Sequence, residues 1–142
     1  SRVPPIVGKS YANLVSAVDQ DGNELGGILL PDLTTPLGTH TGWNLRHADI
    51  GGTGQTFGTL GSTVPFPVTK SQREASVDPR PSIEERYSSR EDYLGRVRKA
   101  ALDLAGERYL LADEVELLVD QAAQRYDLLC QQVPQAQAAA DN

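Results

Sequence analysis

The residues best suited to chemistry lie together in the segment 36–46, Pro-Leu-Gly-Thr-His-Thr-Gly-Trp-Asn-Leu-Arg. It contains the only tryptophan, Trp43, and one of the two histidines, His40. An imidazole can bind a ligand or transfer a proton, and an indole can stack on a ligand. Asn44 and Arg46 can orient polar groups of that ligand. The segment therefore predicts a substrate-binding site made of His40, Trp43, Asn44 and Arg46.

The same residues also have a purely structural interpretation. His40 stands between two threonines, where a histidine commonly packs or hydrogen-bonds to the backbone. Trp43 would then be a buried anchor beneath the glycine-rich segment 50–68, with Asn44 capping backbone groups. We favour the anchor for Trp43 and keep ligand binding as the alternative.

A serine hydrolase needs a nucleophile on a sharp turn, usually in the pattern Gly-x-Ser-x-Gly, together with a histidine and an acid. No serine of the chain lies in that pattern, and Gly61-Ser62-Thr63 is the nearest approach to it. His40 and His47 lie near Asp32 and Asp49 in the sequence, so a histidine–acid pair is conceivable. Without a nucleophile such a pair is only part of a site. We predict no catalytic residue in this chain.

Metal and cofactor sites are also unsupported. Two histidines and one cysteine, Cys130, are too few for a structural zinc site. Residues 19–24 resemble the start of a calcium loop, but Glu24 stands where that loop needs glycine and Leu30 where it needs its last glutamate. A dinucleotide fingerprint starting at Gly52 fails because Phe57 replaces its third glycine. We predict no metal and no cofactor.

The charges and the apolar runs of the sequence limit which kinds of partner the chain can have. The 142 residues carry 19 acidic and 13 basic side chains, a net charge of -6, and no basic stripe that could neutralise phosphates. Bases between Arg86 and Lys99 are offset by acids at helical spacing, which predicts a solvated or salt-bridged face. No apolar run approaches the roughly 20 residues that cross a bilayer. We predict no nucleic-acid partner and no membrane span, and the compartment stays open, with secretion or a periplasmic location among the alternatives.

The first half of the chain reads as strands and loops. Alternation from Tyr11 to Asp19, an Asp-Gly turn and the apolar run Leu25–Leu30 predict a β-hairpin. The prolines at both ends of Pro31–Pro36 predict an extended segment, and a short strand is expected within 37–45. Residues 50–68 predict a long irregular loop that wraps over a larger surface. Four apolar residues would anchor it, namely Phe57, Leu60, Val64 and Phe66.

The second half reads as helix. Ser82 and Glu85 have the spacing of a capping box, and Ser89 offers a second N-cap. Gly106 is expected to end the first long helix as a left-handed residue, and a second helix begins near Ala112. Apolar residues recur at helical spacing at Tyr93, Leu94, Val97, Ala101, Leu104 and Ala105, and then at Val115, Leu118, Val119, Ala122, Tyr126 and Leu129.

The two apolar faces predict an antiparallel helical hairpin that Pro134 closes. The chain then divides into a β-hairpin with wrapping loops in residues 1–77, the helical hairpin in 78–133 and a disordered tail in 134–142. The tail is rich in Ala and Gln and has no apolar anchor. The fold class that follows is mixed α/β.

Four motifs follow one another along the chain. They are Val18-Asp19-x-Asp21-Gly22-Asn23-Glu24, Gly27-Ile28-x-Leu30-Pro31, Thr41-Gly42-Trp43-Asn44-Leu45-Arg46 and Asp78-Pro79-Arg80-Pro81-Ser82-Ile83-Glu84-Glu85-Arg86-Tyr87. Together they resemble the C-terminal part of a bacterial family of large α/β-hydrolase proteins. The similarity covers roughly Ser1 to Leu129, which is nearly the entire chain.

The resemblance implies a serine hydrolase that cleaves carboxylic esters through an acyl-enzyme. In that family the nucleophilic serine, the acid and the catalytic histidine belong to a preceding core, and Ser1-Arg2-Val3-Pro4 resembles the junction just beyond it. The implied partner is therefore the N-terminal α/β-hydrolase core segment of the same protein. Since the chain has no methionine, we expect it to be a processed piece of a longer polypeptide. The alternative is a stand-alone accessory or scaffold subunit, with a homo-oligomer among its forms.

Overall fold

A computed structural model of the protein describes residues 14–131. The described chain has a mixed α/β composition, with two small antiparallel sheets and five α-helices. The predicted tail 134–142, and Pro134 as the end of the second long helix, lie outside the described residues. The elements in order are α1 (Pro31–Thr34), β1 (Gly38–Thr41), β2 (Asn44–Leu45), β3 (Thr56–Phe57), β4 (Ser62–Pro65), α2 (Lys70–Ser76), α3 (Ile83–Arg86), α4 (Arg90–Gly106) and α5 (Val115–Gln131), with 3-10 turns at Ala48–Ile50 and Ala112–Glu114.

The chain reverses direction within residues 19–24, as the Asp-Gly sequence predicts. The backbone N–H of Asp19 donates to the carbonyl of Asn23 at 2.8 Å. The Asp19 carboxylate in turn accepts from the N–H of Asn23 at 2.9 Å. A single isolated bridge joins Val18 to Glu24, so the hairpin is one bridge long.

The strand predicted over Leu25–Leu30 is wrong. Gly27 has a φ of 83°, a left-handed conformation that an extended strand cannot continue. The pairing ends at the bridge of Val18 and Glu24, and the apolar side chains of this run face solvent at Leu25, Ile28 and Leu30. Residues 11–13 of the first predicted strand lie outside the described residues.

The segment Pro31–Pro36 begins with the helix α1 and is not extended throughout as predicted. Pro31 occupies the first turn, where its missing N–H leaves no bond unmade and its fixed φ suits a helix. The N–H of Thr35 donates to the Pro31 carbonyl at 2.8 Å and closes the turn. The prediction of an extended segment is wrong because proline is unfavourable only in the interior of a helix and disfavours helix at the residue before it. In the first turn of a helix proline is tolerated.

The region 38–65 forms one long interrupted hairpin. β1 and β2 lie within the predicted short strand 37–45, whereas β3 and β4 lie within 50–68, where an irregular loop was expected. The prediction of an irregular loop is wrong. The sequence pattern did not show these strands, because the paired residues are more than ten positions apart and polar threonines form much of the ladder. The antiparallel pairs run from Gly38↔Pro65 to Thr41↔Ser62 and from Asn44↔Phe57 to Leu45↔Thr56.

Two glycines allow the strands of this hairpin to come close. A Cβ at Gly61 would lie 2.2 Å from the carbonyl oxygen of Thr41, and one at Gly38 would lie 2.7 Å from that of Val64. Neither contact is tolerable, and each would be made with backbone. Glycine at these positions is therefore a packing requirement of the hairpin.

Residues 42–61, the outer end of this hairpin, are called the distal lobe below. Of the four apolar anchors predicted for 50–68, only Phe66 is buried, and it lies outside the lobe. Phe57 is 43% exposed and Leu60 is 66% exposed. The lobe contributes no residue to the core of the described chain, because its two strands pair only with each other.

Helices α2 and α3 both start with a complete capping box. In α2 the Thr69 hydroxyl accepts from the N–H of Gln72 and the Gln72 side chain accepts in return. In α3 the Ser82 hydroxyl and the Glu85 carboxylate do the same, as the sequence predicts. Sequence reasoning assigned the α2 segment to loops.

Helix α4 begins at the predicted N-cap, since the Ser89 hydroxyl accepts from the N–H of Asp92 at 3.1 Å. Its predicted end at Gly106 is confirmed, but the left-handed conformation predicted for Gly106 is wrong. Gly106 is the last residue of the helix, and the left-handed residue is Arg108, with a φ of 64°. The N–H of Tyr109 then bonds back to the Leu104 carbonyl at 2.9 Å.

Helices α4 and α5 pack along their length in opposite directions. Arg90 at the start of α4 pairs with Asp127 near the end of α5, at 2.7 Å. Arg98, further along α4, pairs with Glu116 at the start of α5. Between these pairs the rings of Tyr93 and Tyr126 stack with centroids 5.3 Å apart.

The core lies between this helix pair and the inner end of the hairpin. Tyr93 is its largest fully buried side chain, and its ring also meets Tyr87 edge-on with centroids 5.1 Å apart. The Tyr87 hydroxyl donates to the Pro36 carbonyl at 2.8 Å, and burial raises the pKa of Tyr87 to about 12. The buried cluster consists of Leu37, Phe66, Ile83, Tyr87, Tyr93, Val97, Val119 and Ala122.

Candidate functional site

His40 is held on β1 by contacts from both sides. Its backbone N–H donates to the Asn23 side-chain oxygen at 2.7 Å, and the Asn23 amide donates to the Gly38 carbonyl at 3.2 Å. Asn23 is almost completely buried, so the turn of residues 19–23 is pinned to the strand. On the ring, Nδ1 lies 3.2 Å from the Thr63 hydroxyl of β4. The imidazole is therefore oriented by its own sheet.

The half-buried His40 side chain lines a depression of about 130 Å³ between the sheet and helix α5. Its walls come from α1, the two strands β1 and β4, and the facing sides of α4 and α5. The lining is mainly apolar, with the ion pair of Asp32 and Arg125 among its residues. The other residues of its walls are Thr35, Leu37, Gly38, Thr63, Pro65, Tyr93, Leu128 and Leu129.

Acids and bases near the two histidines are already engaged. Asp32 lines the same depression as His40 but pairs with Arg125. Nδ1 of His47 lies 3.4 Å from an Asp49 oxygen, and both side chains are mostly in solvent. An activated hydroxyl needs a base that is itself oriented by a third group. The contact between His40 and the Thr63 hydroxyl has no such group among the described residues, so it is a structural hydrogen bond.

Asn44 and Arg46 belong to a different depression, of about 250 Å³, on the distal lobe. The Asn44 side chain is turned to its own backbone, where its oxygen accepts from the N–H of Leu45 at 2.8 Å. The backbone of Arg46 donates to the Gln55 carbonyl at 3.0 Å. Apolar side chains make up most of this depression, namely Leu45, Ile50, Phe57 and Leu60.

The four predicted site residues therefore do not meet in one place. His40 lines the depression beside α5, whereas Asn44 and Arg46 line the one on the distal lobe. Trp43 lines neither and is half-buried at the junction of β1 and β2. Its carbonyl accepts from the Thr41 hydroxyl at 2.6 Å and so helps to fix that junction.

Arg46 has an unusual environment. Its Nε is buried and has no hydrogen-bond partner among the described residues. Its side chain lies against Gly52, since a Cβ at Gly52 would be 3.4 Å from Cδ of Arg46. Most other arginines of the described chain form ion pairs with its carboxylates, namely Arg73, Arg80, Arg86, Arg90, Arg96, Arg98 and Arg125.

The basic residues between Arg86 and Lys99 are salt-bridged as predicted, but only Arg96 and Lys99 pair with an acid at helical spacing. The most buried pair joins Arg86 to Asp21, and the Arg86 guanidinium also lies 4.1 Å from the centroid of the Phe66 ring. This contact fastens the turn of residues 19–24 to the core. The supposed start of a calcium loop is thus a structural turn whose Asp21 is occupied by an arginine.

A second arginine fixes the inner sheet. Arg80 donates to the Thr39 hydroxyl at 2.8 Å and to the Val64 carbonyl at 3.1 Å. Its hydrogen bonds to Asp78 lower the pKa of that carboxyl to about 2. In the residues 14–131, no group of three or more His, Cys, Asp or Glu side chains is placed to hold a metal ion. No helix of this part of the chain is long and apolar enough to cross a membrane.

Sequence reasoning missed most of the depression at His40. Asp32, Thr63 and Arg125 are separated by tens of residues and share no motif, so only the tertiary fold brings them together. Tyr93 and Leu129 carried a signal, since both lie on the predicted apolar faces of the helices. That signal marks burial in general and does not distinguish the wall of a depression from the core.

Comparison with known proteins places the chain in a family. A family model described as alpha/beta hydrolase domain matches residues 2–120. Because the match covers most of the 142 residues, the chain belongs to this α/β-hydrolase family. No curated protein and no solved structure matches the chain.

Proposed function

We propose that this chain is the C-terminal, non-catalytic portion of a serine α/β-hydrolase that acts on carboxylic esters. In this proposal it completes and covers a hydrolase core that another segment of the same bacterial protein carries. The catalytic serine, acid and histidine belong to that core. The family membership of residues 2–120 supplies the reaction class, hydrolysis, on which the proposal rests.

The observation that carries the proposal is the kind of sheet in the described chain. An α/β-hydrolase presents its serine on a turn between a strand and a helix at the top of a central sheet. Sheets of α/β domains are mostly parallel and are covered by helices on both faces. The described residues instead form two antiparallel pairs of strands, each two to four residues long. We therefore infer that another segment of the protein forms the central sheet.

Exposed apolar side chains support the same proposal. Ten of the seventeen exposed large apolar side chains of the described chain lie in two stretches, residues 14–30 and the distal lobe, that contribute none of the buried apolar core. Large apolar side chains left in contiguous patches are typical of surfaces that bind another protein surface. We infer that these stretches contact the hydrolase core. The exposed residues in question are Leu14, Val15, Val18, Leu25, Ile28, Leu30, Leu45, Ile50, Phe57 and Leu60.

A secondary role in substrate binding is proposed for the depression at His40. Its apolar walls suit the hydrocarbon part of an ester, and the His40 imidazole can hydrogen-bond to a neutral oxygen. The paired charges of Asp32 and Arg125 favour no net charge on the ligand. Trp43, Asn44 and Arg46, predicted as part of the same site, lie on the side of the distal lobe.

The reaction assignment is tested with 4-nitrophenyl acetate and a fluorophosphonate, a probe that labels activated serines. The 142-residue chain alone should show no turnover above buffer and no covalent label. A polypeptide from the source cells that contains Gly-x-Ser-x-Gly should take the label and should be recovered either covalently joined to this chain or bound to it. Turnover by the chain alone that is abolished by the probe and by His40→Ala would contradict the proposal.

The alternative is a stand-alone accessory or scaffold subunit. It predicts that tagged chain is recovered with an unlabelled, unrelated polypeptide, or as a homo-oligomer at its intact mass. Either result, obtained without a labelled hydrolase core, replaces the first proposal by the second.

A further inference from the structure

The distal lobe combines an apolar surface with an arginine, Arg46, whose Nε has no hydrogen-bond partner among the described residues. Leu45, Ile50, Phe57 and Leu60 are each at least 43% exposed and line one depression of about 250 Å³. Arg46 lines the same depression, and its Nε is buried without an acceptor. A patch of this composition matches the centre of a protein interface, where apolar residues and arginine are enriched.

The chemistry of Arg46 indicates which chemical group an opposing surface would present to it. A guanidinium has five N–H donors and no acceptor, so the half-buried Arg46 side chain favours oxygen acceptors nearby. Most other arginines of the described chain find a carboxylate of the chain itself. The nearest acid in the lobe, Asp49, lies beside His47 instead. Because Nε is covered by the chain itself, a surface that covers the lobe can reach only the terminal nitrogens of Arg46. A carboxylate matches these nitrogens in charge and shape, and we infer one on that surface.

We propose that the distal lobe is the surface by which this chain docks onto the hydrolase core, with Arg46 pairing a carboxylate of that core inside an apolar contact. This proposal rests on the function proposed above. The lobe lies inside residues 2–120, the stretch that matches the hydrolase family. The core that the proposed function assigns to this family is therefore the occupant that we choose. A second copy of the chain would bring a second unpaired Arg46 to the same surface, and like charges would oppose that contact.

The chain offers a matched pair of control residues. Arg108 is also without a carboxylate partner in the described chain, but it lies in the connection between α4 and α5. Leu111 lies in the same connection and is 64% exposed, close to the 66% of Leu60. Arg46→Gln and Leu60→Ser test the lobe, and Arg108→Gln and Leu111→Ser make the same chemical changes elsewhere. None of the four residues belongs to the core of the described chain.

The probe is the serine-labelled core polypeptide that contains Gly-x-Ser-x-Gly, and its dissociation constant is measured for each full-length variant. We expect Arg46→Gln and Leu60→Ser each to raise the dissociation constant about tenfold or more, as central interface residues do. The controls should stay within about twofold of wild type. Circular dichroism should show the same folded spectrum for all four variants, because each side chain lies outside the core.

Each outcome is decisive. Binding of the core by wild type that is unchanged in Arg46→Gln and Leu60→Ser overturns the docking surface and leaves the proposed function standing. If wild type neither binds the core nor is covalently joined to it, the proposed function itself is overturned. Concentration-dependent dimerisation that the two lobe variants abolish would assign the surface to a second copy and would overturn the proposal.

Discussion

The inner and outer ends of the hairpin 38–65 have the same kind of backbone and different surroundings. At the inner end, β1 and β4 lie on a core that buries Phe66 and are fastened by Arg80 and Asn23. At the outer end, β2 and β3 have only each other, and Phe57 and Leu60 face solvent. An isolated two-stranded hairpin is marginal in water, and the contact that we propose with the hydrolase core would cover the outer end.

The largest effect is expected in the core beneath the inner end. Tyr93→Ala removes a side chain that is 1% exposed, stacks on Tyr126 and meets Tyr87 edge-on, and should lower the free energy of unfolding by about 4 kcal/mol. Urea denaturation followed by circular dichroism measures it. Phe57→Ala in the distal lobe is the control and should cost less than about 1 kcal/mol. Equal losses would mean that the two ends do not differ as described.

The next effect concerns the ion pair that fastens the turn. Asp21→Ala leaves the buried Arg86 guanidinium without its carboxylate and should cost about 3 kcal/mol. Removing both charges with the double variant Asp21→Ala and Arg86→Met should recover part of that loss, since no unpaired charge remains. A double variant less stable than Asp21→Ala alone would argue against this explanation.

Acid should weaken the inner end through Asp78 and Glu85. Hydrogen bonds from Arg80 lower the pKa of Asp78 from 3.8 to about 2, and those from Ser82 lower the pKa of Glu85 from 4.5 to about 2. The unfolded chain therefore binds these protons first, so stability present above about pH 4.5 is lost as the pH falls toward 2. Asp78→Asn should flatten this loss in urea titrations at stepped pH. A wild-type slope in that variant would show that Asp78 does not contribute.

The smallest effect is expected for Leu60→Ser in the isolated chain. Because Leu60 is 66% exposed, its loss should change the free energy of unfolding by no more than about 0.5 kcal/mol. Thermal unfolding of the variant beside Leu111→Ser is the measurement. A larger loss for Leu60 alone would place it in a contact within the chain rather than on a docking surface.

The helical half was readable because its signals are local. Ser82, Ser89 and the apolar repeat through Tyr93 lie within a few turns of the structure they specify, and all three appear as expected. Thr69 and Gln72 carried the same capping signal for α2, but that helix is short and has no buried residue to mark it.

The hairpin 38–65 could not be predicted from the sequence, because its pairing is not local. Its ladder joins residues such as His40 and Thr63 that are far apart in the chain. Because its strands are rich in threonine, they lack the alternation of apolar and polar residues that predicts a strand. Sequence reasoning also grouped His40 with Asn44 and Arg46 because they are neighbours in the chain. The interruption of the ladder between β1 and β2 places them in different depressions, which only the pairing register could reveal.

Amide hydrogen exchange tests the central claim most directly, by comparing this chain alone with the chain bound or joined to its serine-labelled hydrolase core. We expect amides of the distal lobe to exchange much more slowly in the presence of the core, while those of α4 and α5 at Tyr93 and Val119 change little. Unchanged exchange in the distal lobe, with the core demonstrably bound, would contradict that claim.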